Sequence, residues 1–135
     1  MGSIVIHPTL KIERKLWRSG ARFVAGVDEA GRGALAGPVV AAAVVFAPGK
    51  MPRELCSVRD SKTLSARQRN ILAEHIKKQA VAWAVGIVSH RVIDRVNIAN
   101  ASLRAMRQAV LALKQKPACV LCDGFFTAHA LRQTF

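Results

Sequence analysis

The sequence predicts a single domain of mixed α/β class, and three observations support this prediction. Its 135 residues are enough for one domain with one hydrophobic core. Two apolar segments, residues 23–27 and 38–46, have the composition of buried strands. Further along the chain, segments with helical spacing alternate with two more apolar segments, residues 81–88 and 119–122. Paired strands followed by alternating helices and strands are typical of a layered α/β fold.

Residues 1–22 are predicted to form a basic N-terminal extension, and residues 23–135 the domain itself. The extension lacks a clear core pattern. Residues 12–17, however, have the amphipathic spacing of a short basic helix.

The middle of the chain is predicted to contain a loop and two helices. Pro48 and Gly49 begin the loop, because both residues favour turns. A helix is expected over residues 65–79, with Ser65 as its N-cap. Residues 92–114 carry apolar side chains at helical spacing, so one long helix is predicted there, ending before Pro117.

Residues 28–33 carry the most informative motif, Asp-Glu-Ala-Gly-Arg-Gly. The two acids are expected where the first strand breaks into a glycine turn. Adjacent side chains of a regular strand point to opposite faces, so both acids reach one ion only where that alternation lapses. Two carboxylates that end an apolar strand are costly to bury unpaired, and an ion or a cationic partner is therefore expected beside them.

A third carboxylate, Asp123, directly follows the predicted strand 119–122. If this strand and the first one are parallel neighbours, all three acids meet at one edge of the sheet. Carboxylates without histidine suit Mg²⁺ or Mn²⁺ better than zinc. Such ions can activate a water and stabilise the leaving oxygen of a phosphodiester. For Asp123 before Gly124 taken alone, a simple turn cap is the better interpretation.

Charge favours a polyanionic partner, since 21 Lys and Arg oppose 8 Asp and Glu and give a formal net charge of +13. A solvated basic surface, or a structural role such as ribosome association, remains the alternative.

No apolar segment reaches the roughly 18 residues of a membrane-spanning helix, and no signal peptide is found. An odd number of cysteines, 3, fits a reduced compartment, so a cytoplasmic protein without a membrane partner is expected. The glycine spacing does not match a dinucleotide fingerprint, and no small organic cofactor is expected.

Taken together and in order, the motifs resemble those of ribonuclease HII. The resemblance rests on residues 24–33, on residues 37–40, on Asp60-Ser61-Lys62 with Leu64-Ser65, and on Asp123-Gly124. It covers roughly residues 23–124 and implies a ribonuclease H-like fold, a mixed sheet flanked by helices. The implied activity is hydrolysis of the RNA strand of RNA–DNA hybrids, including single ribonucleotides embedded in DNA.

The resemblance also implies roles for eight residues. Three would be catalytic divalent-metal ligands: Asp28, Glu29 and Asp123. Five would bind the nucleic acid, the first three at the ribose and phosphate of the RNA–DNA junction and the last two at a backbone phosphate: Gly31, Arg32, Gly33, Ser61 and Lys62. The implied reaction is in-line attack by a metal-activated water, with Mn²⁺ or Mg²⁺, leaving a 3′-hydroxyl and a 5′-phosphate.

One departure from the family pattern concerns the C-terminus. Family chains normally continue well beyond the positions of Asp123 and Gly124, so we expect this chain to be C-terminally truncated and to lack the family's C-terminal helical part. A fourth catalytic carboxylate and a stacking tyrosine would belong to that part, and this sequence contains no tyrosine. The alternative function is therefore a catalytically impaired homologue that only binds nucleic acid.

Overall fold

A four-stranded mixed sheet organises the fold, as seen in a computed structural model that describes residues 9–31, 37–50, 55 and 64–122. The helices and strands follow one another in this order: α1 (Lys11–Arg18), β1 (Val24–Ala30), β2 (Val39–Phe46), α2 (Ala66–Gln79), β3 (Ala82–Val88), α3 (His90–Val96), α4 (Ile98–Leu111) and β4 (Cys119–Cys122). The mixed α/β class is confirmed. The short basic helix and the four strands lie where the sequence predicts them, within a few residues.

The strand order across the sheet is β3-β2-β1-β4. β2 pairs antiparallel with both β1 and β3, whereas β4 runs parallel to β1. β1 and β2 are therefore the two central strands. The first and last predicted strands are parallel neighbours, which is the condition under which the carboxylates that follow them approach one another.

Helix α4 covers one face of this sheet through small side chains. Ala101, Ala105 and Ala109 recur at helical spacing and are fully buried. They face the small residues of the two nearest strands, of which Ala41 and Ala43 on β2 are almost completely buried. Met106 supplies the largest side chain of this core, and Leu113 closes it beyond the end of the helix.

Gly86 of β3 is the point at which α4 and the sheet come closest. A Cβ atom built on Gly86 would overlap the carbonyl oxygen of Ala105 and would lie 2.8 Å from the backbone nitrogen of Ala109. Beside this contact, the side-chain oxygen of Gln108 accepts a hydrogen bond from the Ile87 N–H at 3.1 Å. Helix and strand are thus in direct backbone contact.

The predicted helix over residues 92–114 is in fact two helices, and this prediction is wrong. Asn97 separates α3 from α4 because its backbone adopts a positive φ of 71°, which a continuous helix does not allow. The Asn97 side chain then caps α4 by accepting a hydrogen bond from the Asn100 N–H at 3.0 Å. The chain can therefore change direction between the two helices.

The predicted N-cap of α2 is confirmed. Ser65 accepts a hydrogen bond from the Gln68 N–H at 3.1 Å, and Gln68 returns one to the Ser65 N–H at 2.8 Å. This reciprocal pair is a capping box. It stabilises the first turn of the helix, although α2 itself buries no residue completely.

The sheet face opposite α4 carries large apolar side chains that are partly exposed. Trp83 and Val85 are each 44% exposed and Ile87 is 59% exposed. The amino group of Lys77 on α2 lies 5.2 Å from the centre of the Trp83 ring, a distance at which a cation and an aromatic face attract. In the described ranges, no helix has the length and apolar character that crossing a membrane requires.

Substituting Gly86 with alanine tests the contact between α4 and the sheet. We expect Gly86→Ala to lower the free energy of unfolding by about 1–3 kcal/mol, because the helix must move away from β3. Gly26→Ala is the matched control, since Gly26 also lies in a strand but has no atom within 4 Å of an added Cβ. Its free energy of unfolding should change by less than about 0.5 kcal/mol. Equal losses in urea denaturation would show that the contact does not limit stability.

Candidate active site

Asp28 and Glu29 lie within β1 and not after its end, which corrects the predicted strand boundary. β1 remains paired with β2 through Asp28↔Ala42, Glu29↔Ala41 and Ala30↔Val40. Backbone pairing with β2 thus extends β1 past the apolar segment and through the two acids. Side chains therefore continue to alternate between the two faces of the sheet at the acids, contrary to expectation. Asp28 and Glu29 leave the strand on opposite faces.

The two carboxylates consequently occupy different surroundings. Glu29 shares the α4 side of the sheet with Val27, which is buried in the core, and is itself half-buried. Asp28 is exposed on the other face. Its Oδ1 accepts a hydrogen bond from the Glu29 N–H at 2.8 Å, which holds the Asp28 carboxylate against its own strand. A carboxylate has about four acceptor positions, so this bond leaves Asp28 with capacity for a cation.

β4 pairs in parallel with β1 and leads to Asp123, the third predicted ligand. The last described pair of these strands is Val27↔Cys122. The next residue along one strand is Asp28 and along the other Asp123, which lies outside the described residues. The described register therefore ends one residue before Asp28 on β1 and one residue before Asp123 on β4.

Gly31 lies two residues after Glu29, directly beyond the end of β1. Its φ of +94° lies in the left-handed region that glycine adopts most readily. A Cβ at this position would lie 2.5 Å from the carbonyl oxygen of Pro38. The contact between Gly31 and Pro38 could not be predicted from local sequence, because only the pairing of β1 with β2 brings Pro38 against Gly31.

The remaining predicted site residues lie outside the described residues. These are Arg32, Gly33, Ser61, Lys62 and Asp123. Among the described ranges, no group of three or more His, Cys, Asp or Glu side chains is arranged to hold a metal ion. Asp28 and Glu29 are the two predicted ligands that lie among the described residues, and the assignment of all three stays a prediction.

The two cysteines of β4 do not belong to a metal-binding group among the described residues. Cys119 and Cys122 are both half-buried, and Cys122 packs against the core beneath α4. Their spacing of three residues on a strand sends them to opposite faces, as expected from the sequence.

Comparison with known proteins identifies the family. The family model of ribonuclease HII matches residues 25–135. The chain belongs to the ribonuclease HII family. Curated relatives of that name include the protein of Paracoccus denitrificans, 51% identical over 117 residues, and that of Syntrophus aciditrophicus, 53% identical over 112 residues. These matches cover 87% and 83% of this chain, but only 54% and 51% of the relatives.

Solved structures agree with this membership of the ribonuclease HII family. Ribonuclease H2 from Pyrococcus horikoshii matches with a TM-score of 0.65 and 30% identity, over 74% of this chain and 49% of that chain. Bst-RNase HIII, solved in complex with Mn²⁺, matches with a TM-score of 0.63 over 98% of this chain and 45% of its own. At 20% identity the second likeness shows the ribonuclease H-like fold alone. The chain spans about half the length of the ribonuclease HII relatives it matches.

The turn after the acids can be tested by comparing two glycines. Gly31 and Gly20 both have positive φ angles, +94° and +101°, but only Gly31 has a neighbour that an added Cβ would meet. Gly20→Ala should cost about 1–2 kcal/mol from backbone strain alone. Gly31→Ala should cost at least about 1 kcal/mol more, because Pro38 must also move. Thermal denaturation of both variants gives the comparison, and equal losses would mean that the contact with Pro38 is unimportant.

Proposed function

We propose that this chain acts as a ribonuclease HII: a metal-dependent endonuclease that hydrolyses the RNA strand of RNA–DNA hybrids, including single ribonucleotides embedded in DNA. Cleavage would leave a 3′-hydroxyl and a 5′-phosphate. The proposal rests on family membership together with the arrangement of β1 and β4, and the three cysteines favour a cytoplasmic location.

The single observation that carries the proposal is the register of the two parallel strands. β1 and β4 are aligned at Val27 and Cys122, and a carboxylate follows each of these residues in the sequence. If the alignment continues for one more residue, Asp123 comes beside Asp28 on the side of the sheet that α4 does not cover. Such a pair of acids would repel each other unless a cation lay between them.

The donor set fits a hard divalent cation. Asp28, Glu29 and Asp123 offer carboxylate oxygens only, and Mg²⁺ and Mn²⁺ both prefer oxygen ligands. When bound, such an ion lowers the pKa of a water and neutralises charge on the phosphate. Asp28 is exposed and would meet this ion directly, whereas Glu29 leaves β1 on the opposite face and would reach the same ion only if the strand departed from regular alternation when the ion bound.

The other predicted residues would hold the nucleic acid. Gly31 has a positive φ two residues after Glu29, and the backbone N–H groups of Gly31, Arg32 and Gly33 would contact a ribose or phosphate. Lys62, with Ser61, would hold a backbone phosphate. The net charge of +13 supports a polyanionic substrate, because basic side chains draw phosphates toward the site.

Replacing Asp28 with asparagine tests this function. We expect Asp28→Asn to reduce incision of a DNA duplex containing one ribonucleotide by on the order of 100-fold or more, because a cation ligand is lost. Binding of the duplex should be unchanged or tighter, since one negative charge beside the phosphate is removed. Cleavage is measured by gel with Mn²⁺, with Mg²⁺ and with chelator, and chelator should abolish it.

Asp94→Asn is the matched control, since Asp94 is an exposed acid on α3 with the same change of charge. Its incision rate should remain within about twofold of the wild type. If the folded wild-type chain shows no incision with either metal, the catalytic proposal fails. A chain that binds the duplex without cutting it would support the alternative, a homologue that only binds nucleic acid.

A further inference from the structure

We propose that α1 is a phosphate-binding helix that contacts the backbone of the nucleic-acid duplex away from the carboxylates. The inference rests on the proposed function for its substrate, a nucleic-acid duplex, but not on catalysis. Its basis is the juxtaposition of four cations on a single face of α1, which is attached to the start of the strand that carries Asp28.

The four basic residues of α1 form one continuous stripe. At about 100° per residue, they fall within an arc of about 100°. They are Lys11, Arg14, Lys15 and Arg18, and all four are exposed. No ion pair to any of them is found in the described part of the chain. Four cations on so small an area repel one another, and a row of phosphates would relieve that repulsion.

The opposite side of α1 is turned toward the domain. Leu16 and Trp17 are half-buried, and the Nε1 atom of Trp17 is shielded from solvent. α1 contacts β1, and backbone hydrogen bonds close the helix end, where the Ala21 N–H donates to the Leu16 carbonyl at 3.0 Å. This attachment holds the basic stripe in a fixed position relative to β1.

Two observations favour the Asp28 side of the sheet for α1. Leu16 and Trp17 do not belong to the core beneath α4. Val24, the first residue of β1, is 4% exposed but also lies outside that core, on the face to which Asp28 points. A duplex bound at Asp28 could therefore run along this face toward α1 without passing around the sheet.

The distance suits such a duplex. Val24 and Asp28 are four residues apart on one strand, which corresponds to about 13 Å. A duplex carries one phosphate charge per about 1.7 Å of its axis, so about eight charges lie within that length. The stripe thus faces phosphates about four base pairs from the reacting position.

A membrane surface is the other partner that a basic amphipathic helix can fit. The structure favours nucleic acid, because the apolar residues Leu16 and Trp17 are already packed and are not available to enter a bilayer. Only Ile12, 61% exposed, remains free on that side.

The test replaces the stripe without unfolding the helix. In one variant all four residues become glutamine, a good helix former, as Lys11→Gln, Arg14→Gln, Lys15→Gln and Arg18→Gln. In the control, four exposed arginines on α3 and α4 are replaced: Arg91→Gln, Arg95→Gln, Arg104→Gln and Arg107→Gln. Each variant loses four positive charges from the formal +13, so net charge alone cannot separate the two.

Affinity for a fluorescent RNA–DNA duplex is measured in chelator at several salt concentrations, so that no cleavage occurs. The α1 variant should bind on the order of tenfold more weakly at low salt, and its slope of log affinity against log salt should fall by about 2–4. The control should stay close to the wild type. Lys11→Arg with Lys15→Arg keeps the charge and should also bind as the wild type does.

Three results would overturn the proposal. The first is an equal loss in the α1 variant and the control, which would make the effect one of net charge. The second is wild-type binding by an α1 variant whose circular dichroism and thermal midpoint are unchanged. The third is α1-dependent binding to vesicles of phosphatidylcholine and phosphatidylglycerol without α1-dependent binding to the duplex. Because binding is measured without turnover, an inactive chain that still loses affinity in the α1 variant would support this proposal while contradicting the catalytic one.

Discussion

The close approach of α4 to the sheet is the contact on which the rest of the structure depends. Ala101, Ala105 and Ala109 lie against small residues of the strands, and at Gly86 the helix touches the strand backbone. Small side chains permit this distance, and the dispersion energy gained from many close atom pairs stabilises it. Any larger residue at the contact would lift the helix and disturb the one core that the described residues share.

The same contact determines where the carboxylates can lie. With α4 on one face, β1 is held between β2 and β4, and its alternation sends Val27 into the core and Asp28 to the open face. Asp and Glu both have a low intrinsic propensity for β-strands, so two acids in a central strand are unfavourable. They are tolerated because Asp28 remains exposed and Glu29, one residue before the end of β1, is only half-buried.

The sequence predicts most of the elements but not which side of each strand faces inward. In β3, Ala82, Ala84 and Gly86 face α4, while the larger Trp83, Val85 and Ile87 lie on the outer face. Hydropathy favours the reverse, because the requirement for small residues comes from α4 and not from the strand. The break at Asn97 was also not predictable from hydropathy. Apolar residues continue at helical spacing on both sides of Asn97, and only its capping of α4 shows that one helix ends and another begins there. The motif residues are identifiable from their order alone, but the continuation of β1 through Asp28 depends on pairing with β2, which a local pattern does not show.

The proposed function involves two sets of charges, the carboxylates of the predicted site and the basic residues of the surface. The first set would need a cation to accept a phosphate, and the second would be needed to attract the duplex. Three of the 8 acidic residues are the predicted ligands, so the proposed site would repel a phosphate unless a divalent cation were bound there. The attraction that brings a duplex to the protein must then come from elsewhere. The cations of α1, placed near the start of β1, would supply it at little cost, because exposed charges more than about 10 Å from the carboxylates are largely screened from them at physiological salt. Under the two proposals, binding and metal dependence would be separable properties: the basic surface would control how salt affects affinity, and the carboxylates would control whether a bound phosphodiester is cut.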